Sequence, residues 1–127
     1  MTNILIRVGE EQFRARFDDE MAPRTVGAIR DALPIEGTTQ TWGDEIYFEI
    51  PVRAEPENSH EVVSKGDMAY WPDGNCFCIF YGRTPQSTAD EEIVPASAVN
   101  VIGTIEKPDE LKKHRGGEPI SIEMAEA

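Results

Sequence analysis

The feature that most constrains this chain is a succession of short segments in which apolar and polar residues alternate. The first places Ile4, Ile6 and Val8 on one face, and a second segment after Gly9 alternates in the same way. A period of two is typical of strands that bury one face. Similar segments recur along the chain between turn-forming residues, so the sequence predicts about seven or eight short strands in a barrel or a sandwich.

One segment departs from this alternation and takes helical spacing. Pro23 suits the first turn of a helix, and apolar residues then follow at intervals of three or four until Pro34. The pattern predicts an α-helix over residues 23–33 whose apolar stripe lies on the sheet. A polar stretch near residues 108–113 is a candidate for a second, short helix. Residues 35–41 are predicted to form a loop.

Size and charge limit the classes of protein to which the chain can belong. Its 127 residues match one hydrophobic core, so residues 1–127 are predicted to form a single domain. A formal charge of −12 repels phosphate backbones, which argues against a nucleic acid partner. Apolar runs stay far short of the roughly 18 residues that cross a membrane, and no leader-like segment begins the chain. We therefore expect a cytoplasmic protein without a membrane partner.

Cys76 and Cys78 are the two cysteines of the chain. Their spacing places both thiols on one face of a strand. A structural zinc site usually needs four ligands, and only His60 and His114 could add nitrogen donors. The sequence therefore predicts reduced, buried thiols, with neither a metal nor a cofactor.

Two further segments bear on where a site could lie. The strand around residues 76–81, CFCIFY, is apolar on both faces, so it is either covered on both sides or lines an apolar depression. Residues 83–98 are predicted to form a long irregular loop, a kind of segment that often shapes binding sites. A short strand is predicted over residues 61–64.

The order of these signals resembles that of the cyclophilins. FDDEMAPRTVGAIRDAL (17–33), DGNCFCIFYG (73–82) and VNVIGTIE (99–106) follow one another as a helix and two strands do in that family. WGDEIYFEIP, KGDMAYWPDG and IFYGRTPQS are similar, more closely still, to the small prokaryotic cyclophilin-like proteins, a family without an established activity. The resemblance implies a mainly β fold: a closed cyclophilin-like barrel of about eight strands with one α-helix and a second, short helix.

Cyclophilins are peptidyl-prolyl isomerases, and the resemblance shows which parts of that activity this chain lacks. Their arginine donates to the proline nitrogen and so weakens the partial double bond of the amide. It falls here at Phe48 or Ile50, neither of which can donate, and Cys78 stands in place of a socket phenylalanine. Arg53, just past this strand, is the one arginine that could enter the site. The resemblance thus implies inefficient isomerisation at best, and the catalytic residues are unknown.

The alternation on the strand before Pro51 predicts a different site. Tyr47 and Glu49 lie opposite the apolar face of that strand, where other side chains can surround them. An apolar floor with one hydroxyl and one carboxylate suits a small molecule or a peptide that carries an amine or a hydroxyl. The predicted ligand-binding residues are Tyr47, Glu49, Trp71, Cys76, Cys78 and Phe80.

A structural interpretation of the same residues stays open. Trp71 could simply pack under the 83–98 loop, with Glu49 solvated. Three functions therefore remain: a binding module for an unknown small molecule or peptide, which we favour, a weak prolyl isomerase, or a protein-interaction module. The chain could act as a monomer or as a homodimer.

Overall fold

The alternating segments form the strands of one continuous sheet in the computed structural model, which describes residues 1–89 and 92–125. Within these residues there are ten strands, one α-helix and one 3₁₀ helix. In chain order they are β1 (Thr2–Val8), β2 (Glu11–Phe17), α1 (Pro23–Ala32), β3 (Ile35–Thr38), β4 (Gln40–Thr41), β5 (Glu45–Glu49), β6 (Ser59–His60), β7 (Asp67–Trp71), β8 (Cys76–Phe80), β9 (Val99–Ile105), the 3₁₀ helix (Pro108–Lys113) and β10 (Pro119–Met124).

The sheet curves into a nearly closed barrel. Its strand order is β3-β10-β1-β2-β9-β7-β8-β5-β4, with β6 added beside β9, and all the pairs are antiparallel. The two end strands of this path are separated in the chain by Thr39 alone, so the sheet returns almost to its start. The prediction of a mainly β, cyclophilin-like barrel with two helices is confirmed.

The helix α1 packs Val26 and Ile29, both fully buried, into the main core of the barrel. It begins at Pro23 as predicted and ends at Ala32, one residue before the predicted bound. The predicted short helix over residues 108–113 is the 3₁₀ helix. Neither helix of the described residues is long and apolar enough to span a membrane.

The amino end of α1 is capped from a distant loop, because Ala22 before it has no side chain that could do so. The carboxylate of Glu57 accepts hydrogen bonds from the amides of Arg24 at 3.1 Å and Thr25 at 2.8 Å. The buried Asn100 on β9 accepts from the amide of Glu57 at 2.9 Å and donates to the hydroxyl of Thr25 at 3.1 Å. This network joins the loop before β6 to the helix and the sheet.

Two local predictions are wrong. Residues 35–41 were expected to form a loop but contain β3 and β4, because β10 and β5 offer them strand partners that lie far away in the chain. The short strand expected over residues 61–64 is also absent. Two residues earlier, β6 pairs with β9, and Val63 makes only an isolated bridge to Ile93.

Strand β8 is buried on both faces, as its composition predicted. Phe77 and Ile79 face the main core, whereas Cys76, Cys78 and Phe80 face a second apolar cluster on the outer wall of the barrel. The second cluster also contains buried residues from β7, β9 and the segments outside the barrel: Val63, Ala69, Ile93, Val99 and Val101.

The long-range cap yields a prediction about stability. Glu57→Ala should lower the free energy of unfolding by about 1–2 kcal/mol, because two helix amides lose their acceptor. Burial alone would raise the pKa of Glu57, but the hydrogen bonds from Thr25 and Arg24 outweigh it and lower that pKa. The cap therefore stabilises the fold above the ordinary pKa of glutamate and is lost as pH falls through the lowered folded-state value.

Urea denaturation at pH 7 and at pH 3 measures this effect. Glu55→Ala, on the same loop with its side chain exposed, is the matched control and should change stability by less than about 0.5 kcal/mol. Equal losses for both variants would show that Glu57 does not act as a cap.

Candidate functional site

The sequence-predicted site residues lie together on the outer wall of the barrel. Tyr47 on β5 is directly opposite Cys78 on β8, and Glu49 is opposite Cys76. On the other side of β8, Trp71 at the end of β7 also pairs with Cys76. Because directly paired residues point to the same face of a sheet, β8 forms the floor between Tyr47 and Trp71.

The segment after β8 covers part of this wall. Its buried Ile93 packs in the second cluster, and the carbonyl of Ile93 accepts from the amide of Val63 at 2.9 Å. Side chains of the segment bond to its own backbone: Gln86 donates to the carbonyl of Pro95 at 2.8 Å, and the Ser87 hydroxyl accepts from the amide of Val94 at 3.1 Å. The predicted loop over residues 83–98 is thus an ordered cover, although residues 90 and 91 lie outside the described part.

A chain of hydrogen bonds fixes Trp71 beneath the end of this cover. The indole Nε1 donates to the Ser97 hydroxyl at 2.6 Å, and that hydroxyl donates to Asp73 at 2.6 Å. The ring also lies directly against Gly74, where an added Cβ would come within 2.4 Å of the indole. The orientation of Trp71 is therefore set by its neighbours before any ligand arrives.

A small pocket remains between the cover and the outer wall. Its volume is about 160 Å³, close to that of an engineered apolar cavity of ~150 Å³ that holds one benzene molecule. The pocket therefore has room for one ring or one branched group. It is lined by Trp42, Glu45, Tyr47, Trp71, Pro95, Ala96 and Val99.

Glu45 gives the pocket its charge. It is only 6% exposed and, within the described residues, forms no ion pair. Burial raises the pKa of its carboxyl to about 7, and a hydrogen bond from the Cys78 thiol offsets only part of that rise. At neutral pH this carboxyl is therefore divided between its neutral and ionised forms.

The two thiols of the floor stay protonated at neutral pH. Burial raises the pKa of Cys76, and the nearby Glu49 and Glu45 carboxylates add to the rise. Burial and Glu45 raise the pKa of Cys78 well above its ordinary value. Both cysteines are free and buried. Because the thiolate is the reactive form of cysteine, these side chains act here as apolar floor and, in Cys78, as a weak donor.

The predicted residues divide into three groups. Tyr47 and Trp71 line the pocket, while Cys76, Cys78 and Phe80 lie beneath the same face in the second cluster. Glu49 is exposed and does not line the pocket. Whether any of the six residues binds a ligand stays a prediction. The packing interpretation of Trp71 also holds in part, since Trp71 both packs under the cover and lines the pocket.

Five lining residues were missed by the sequence interpretation. Glu45 had a usable signal, because it continues the same alternation two residues before Tyr47. Trp42 is held over the pocket by a turn in which its amide donates to the carbonyl of Glu45 at 3.0 Å. Val99 is the first residue of β9. Pro95 and Ala96 carry no local signal, since their positions depend on where the cover docks.

The position that the resemblance gave to the catalytic arginine lies inside the barrel. Phe48 and Ile50 are 2% and 1% exposed and belong to the main core. Arg53 lines a different depression, together with Pro72 and Asp73. Its guanidinium donates to the carbonyl of Val52 at 3.4 Å. No arginine is among the described residues that line the pocket.

Comparisons with known proteins place this geometry in context. The family model described as cyclophilin-like matches residues 2–123. Hypothetical protein AF2241 from Archaeoglobus fulgidus, known from its solution structure, is 45% identical, with a TM-score of 0.83 over 98% of this chain and 95% of its own. McbB, solved in complex with tryptophan, is 13% identical, with a TM-score of 0.72 over 98% of this chain and 45% of its own, which shows a shared fold alone. No curated protein matches.

Buried Glu45 yields a prediction with a definite sign. Its folded-state pKa of about 7 lies above the ordinary 4.5, so ionisation of Glu45 destabilises the fold as pH rises between these two values. Glu45→Gln, which keeps the shape without the charge, should be as stable as the parent near pH 4.5. At pH 8 it should be more stable by about 3 kcal/mol.

Urea denaturation of both proteins from pH 4.5 to pH 8 checks this difference. Glu49→Gln is the matched control, because Glu49 lies on the same strand face but is exposed, and its difference from the parent should stay small at every pH. A pH-independent difference for Glu45→Gln would mean that Glu45 ionises as freely as an exposed glutamate.

Proposed function

The chain belongs to the cyclophilin-like family, and we propose that it is a binding protein of that family which holds one small organic molecule in the outer-wall pocket. The observation that carries the proposal is the buried carboxyl of Glu45, which faces this pocket and has no ion-pair partner among the described residues. A shifted carboxyl in a concave, mostly apolar site is the arrangement typical of ligand recognition.

The free energy lost by ionising the buried Glu45 carboxyl favours a functional explanation of this residue over a structural one. A glutamine at position 45 would fill the same space without an ionisation penalty, which for Glu45 amounts to about 3 kcal/mol at pH 8. Proteins retain such destabilising groups mainly where an activity needs them. A ligand that donates to the carboxylate, or carries a positive charge, would offset the cost.

The size of the pocket narrows the kind of ligand. A volume of about 160 Å³ accepts one ring or one branched group. An extended peptide could place only one side chain or its end in this space, so a small molecule fits the shape better. McbB, part of which shares the fold, was solved in complex with tryptophan, which is consistent with small-molecule binding.

Prolyl isomerisation is the less favoured alternative. The residues at the arginine position, Phe48 and Ile50, are enclosed in the main core, where they cannot reach a substrate amide. The lining residues of the pocket offer packing surfaces, one carboxyl and the hydroxyl of Tyr47. These groups suit the binding of a small molecule better than the weakening of an amide bond.

Intrinsic fluorescence gives a direct test, since both tryptophans of the chain, Trp42 and Trp71, line the pocket. A library of small amines, alcohols and ring compounds should contain members that change the emission. At 100 times its dissociation constant, such a ligand should add about 2.7 kcal/mol of stability and raise the melting temperature by roughly 10 °C.

A pair of variants separates pocket binding from binding elsewhere. Ala96→Phe fills the pocket from its exposed rim and should abolish both responses. Ala89→Phe introduces the same ring into an exposed part of the same cover that does not line the pocket, and it should leave both responses intact. Ligands that bind equally well to both variants would place the binding site outside this pocket and contradict the proposal.

A further inference from the structure

The walls of the pocket are unusually rich in aromatic side chains for so small a space. Trp42 comes from the turn before β5, Tyr47 from β5 itself and Trp71 from the end of β7. They therefore approach the pocket from three separate points of the outer wall. The apolar Pro95 and Ala96 of the cover contribute to the rim.

These aromatic rings form no ring pair with one another within the described residues. The ring pairs within the described residues are Phe13 with His114, and Phe77 with both Phe17 and Phe48. None of these pairs includes a residue of the pocket. The tryptophan and tyrosine rings that line the pocket are only partly buried, so a ligand can contact them.

The charge of the pocket has one sign. Of the described residues that line it, Glu45 alone is ionisable in the neutral range, and none is a lysine or an arginine. The chain as a whole carries a formal charge of −12, so the surrounding field also attracts cations. Aromatic rings add to this attraction, because the electron-rich faces of their π systems bind positive charge.

We propose that the pocket is an aromatic cage for a methylated ammonium group, with Trp42, Tyr47 and Trp71 as its walls and Glu45 as its counter-ion. This inference rests on the proposed binding function and names the chemical class of the ligand. The cation enters beside the rim formed by Pro95 and Ala96 and leaves the remainder of its molecule in solvent.

The polar groups of the pocket favour a methylated ammonium over a primary one. A primary ammonium carries three N–H donors and loses strong hydration unless each finds an acceptor. Among possible acceptors in the lining, the carbonyl of Pro95 already accepts from Gln86. Only the Glu45 carboxylate and the Tyr47 hydroxyl remain as side-chain acceptors in the lining. A quaternary ammonium needs no acceptors, and its methyl groups gain from the apolar walls.

The volume of the pocket is also consistent with a methylated ammonium group. The volume of about 160 Å³ is enough for a compact group the size of one small ring. A trimethylammonium head is compact and nearly spherical, and it is small enough for this volume.

The test compares two probes of nearly equal shape. Choline carries a trimethylammonium group, and 3,3-dimethyl-1-butanol has a neutral carbon in place of the nitrogen. Titration of the parent protein, followed by tryptophan fluorescence and calorimetry at pH 8, should show that choline binds at least tenfold more tightly. Tetramethylammonium should compete with choline, because the proposal assigns recognition to the cationic head.

Two matched pairs of variants assign the roles of the charge and of the rings. Glu45→Gln should weaken choline binding about tenfold and leave the neutral probe unchanged, whereas Glu49→Gln should alter neither. Tyr47→Phe keeps an aromatic wall and should bind choline nearly as well as the parent. Tyr47→Leu removes that wall and should weaken binding of choline more than binding of the neutral probe.

The pH dependence provides a signature that a general loss of structure would not reproduce. Choline affinity should rise as pH increases toward about 7, the pKa of Glu45, and level off above it, because the ionised carboxylate is the form that attracts a cation. In Glu45→Gln this dependence should disappear.

The outcomes distinguish this inference from the proposed function. If neutral ring compounds bind and respond to Ala96→Phe while choline does not bind, the cage is wrong and the small-molecule pocket stands. If choline and its neutral analogue bind equally, the charge plays no part and the cage is likewise wrong. If nothing in the library or among these probes binds in the pocket, both proposals fail.

Discussion

Burial of β8 on both of its faces is the constraint on which the rest of this structure depends. A strand with apolar side chains on alternate faces needs two covers, and a barrel supplies only the inner one. The main core covers Phe77 and Ile79. Cys76, Cys78 and Phe80 point outward and require a second layer, which the chain provides by folding the segment after β8 back across the outer wall.

The candidate site follows from the incomplete fit of that second layer. Ile93 packs in the outer cluster, while Pro95 and Ala96 line one pocket together with Tyr47 of the outer wall. Glu45 lines this pocket and is buried, so its carboxyl is largely removed from water. The raised pKa of Glu45 is thus a consequence of its burial.

The sequence predicted most of the barrel because apolar residues recur with a period of two on the inward face of each strand. Turns or the α-helix separate most of these strands. The prediction failed at β3 and β4, whose residues alternate poorly and owe their strand form to partners far along the chain. For the same reason, the sequence predicted some of the residues that line the site and missed others. The alternation correctly predicted that Tyr47 and Trp71 share one face of the sheet. Glu45 follows the same alternation. The contributions of Pro95 and Ala96 depend on docking of an irregular loop, which no local pattern encodes.

The way the cover is attached has a consequence for how proteins with this barrel can diversify. The pocket takes its carboxylate and most of its aromatic walls from the barrel strands. Its rim comes from the segment after β8, which is attached by the bridge between Ile93 and Val63 and by hydrogen bonds of Ser97 with Trp71 and Asp73. Insertions, deletions or exchanges in that segment would reshape the entrance while the strands, their register and the main core stay as they are. The shape of this pocket can therefore change through natural variation in one loop, and the same segment is the natural place for a library in directed evolution.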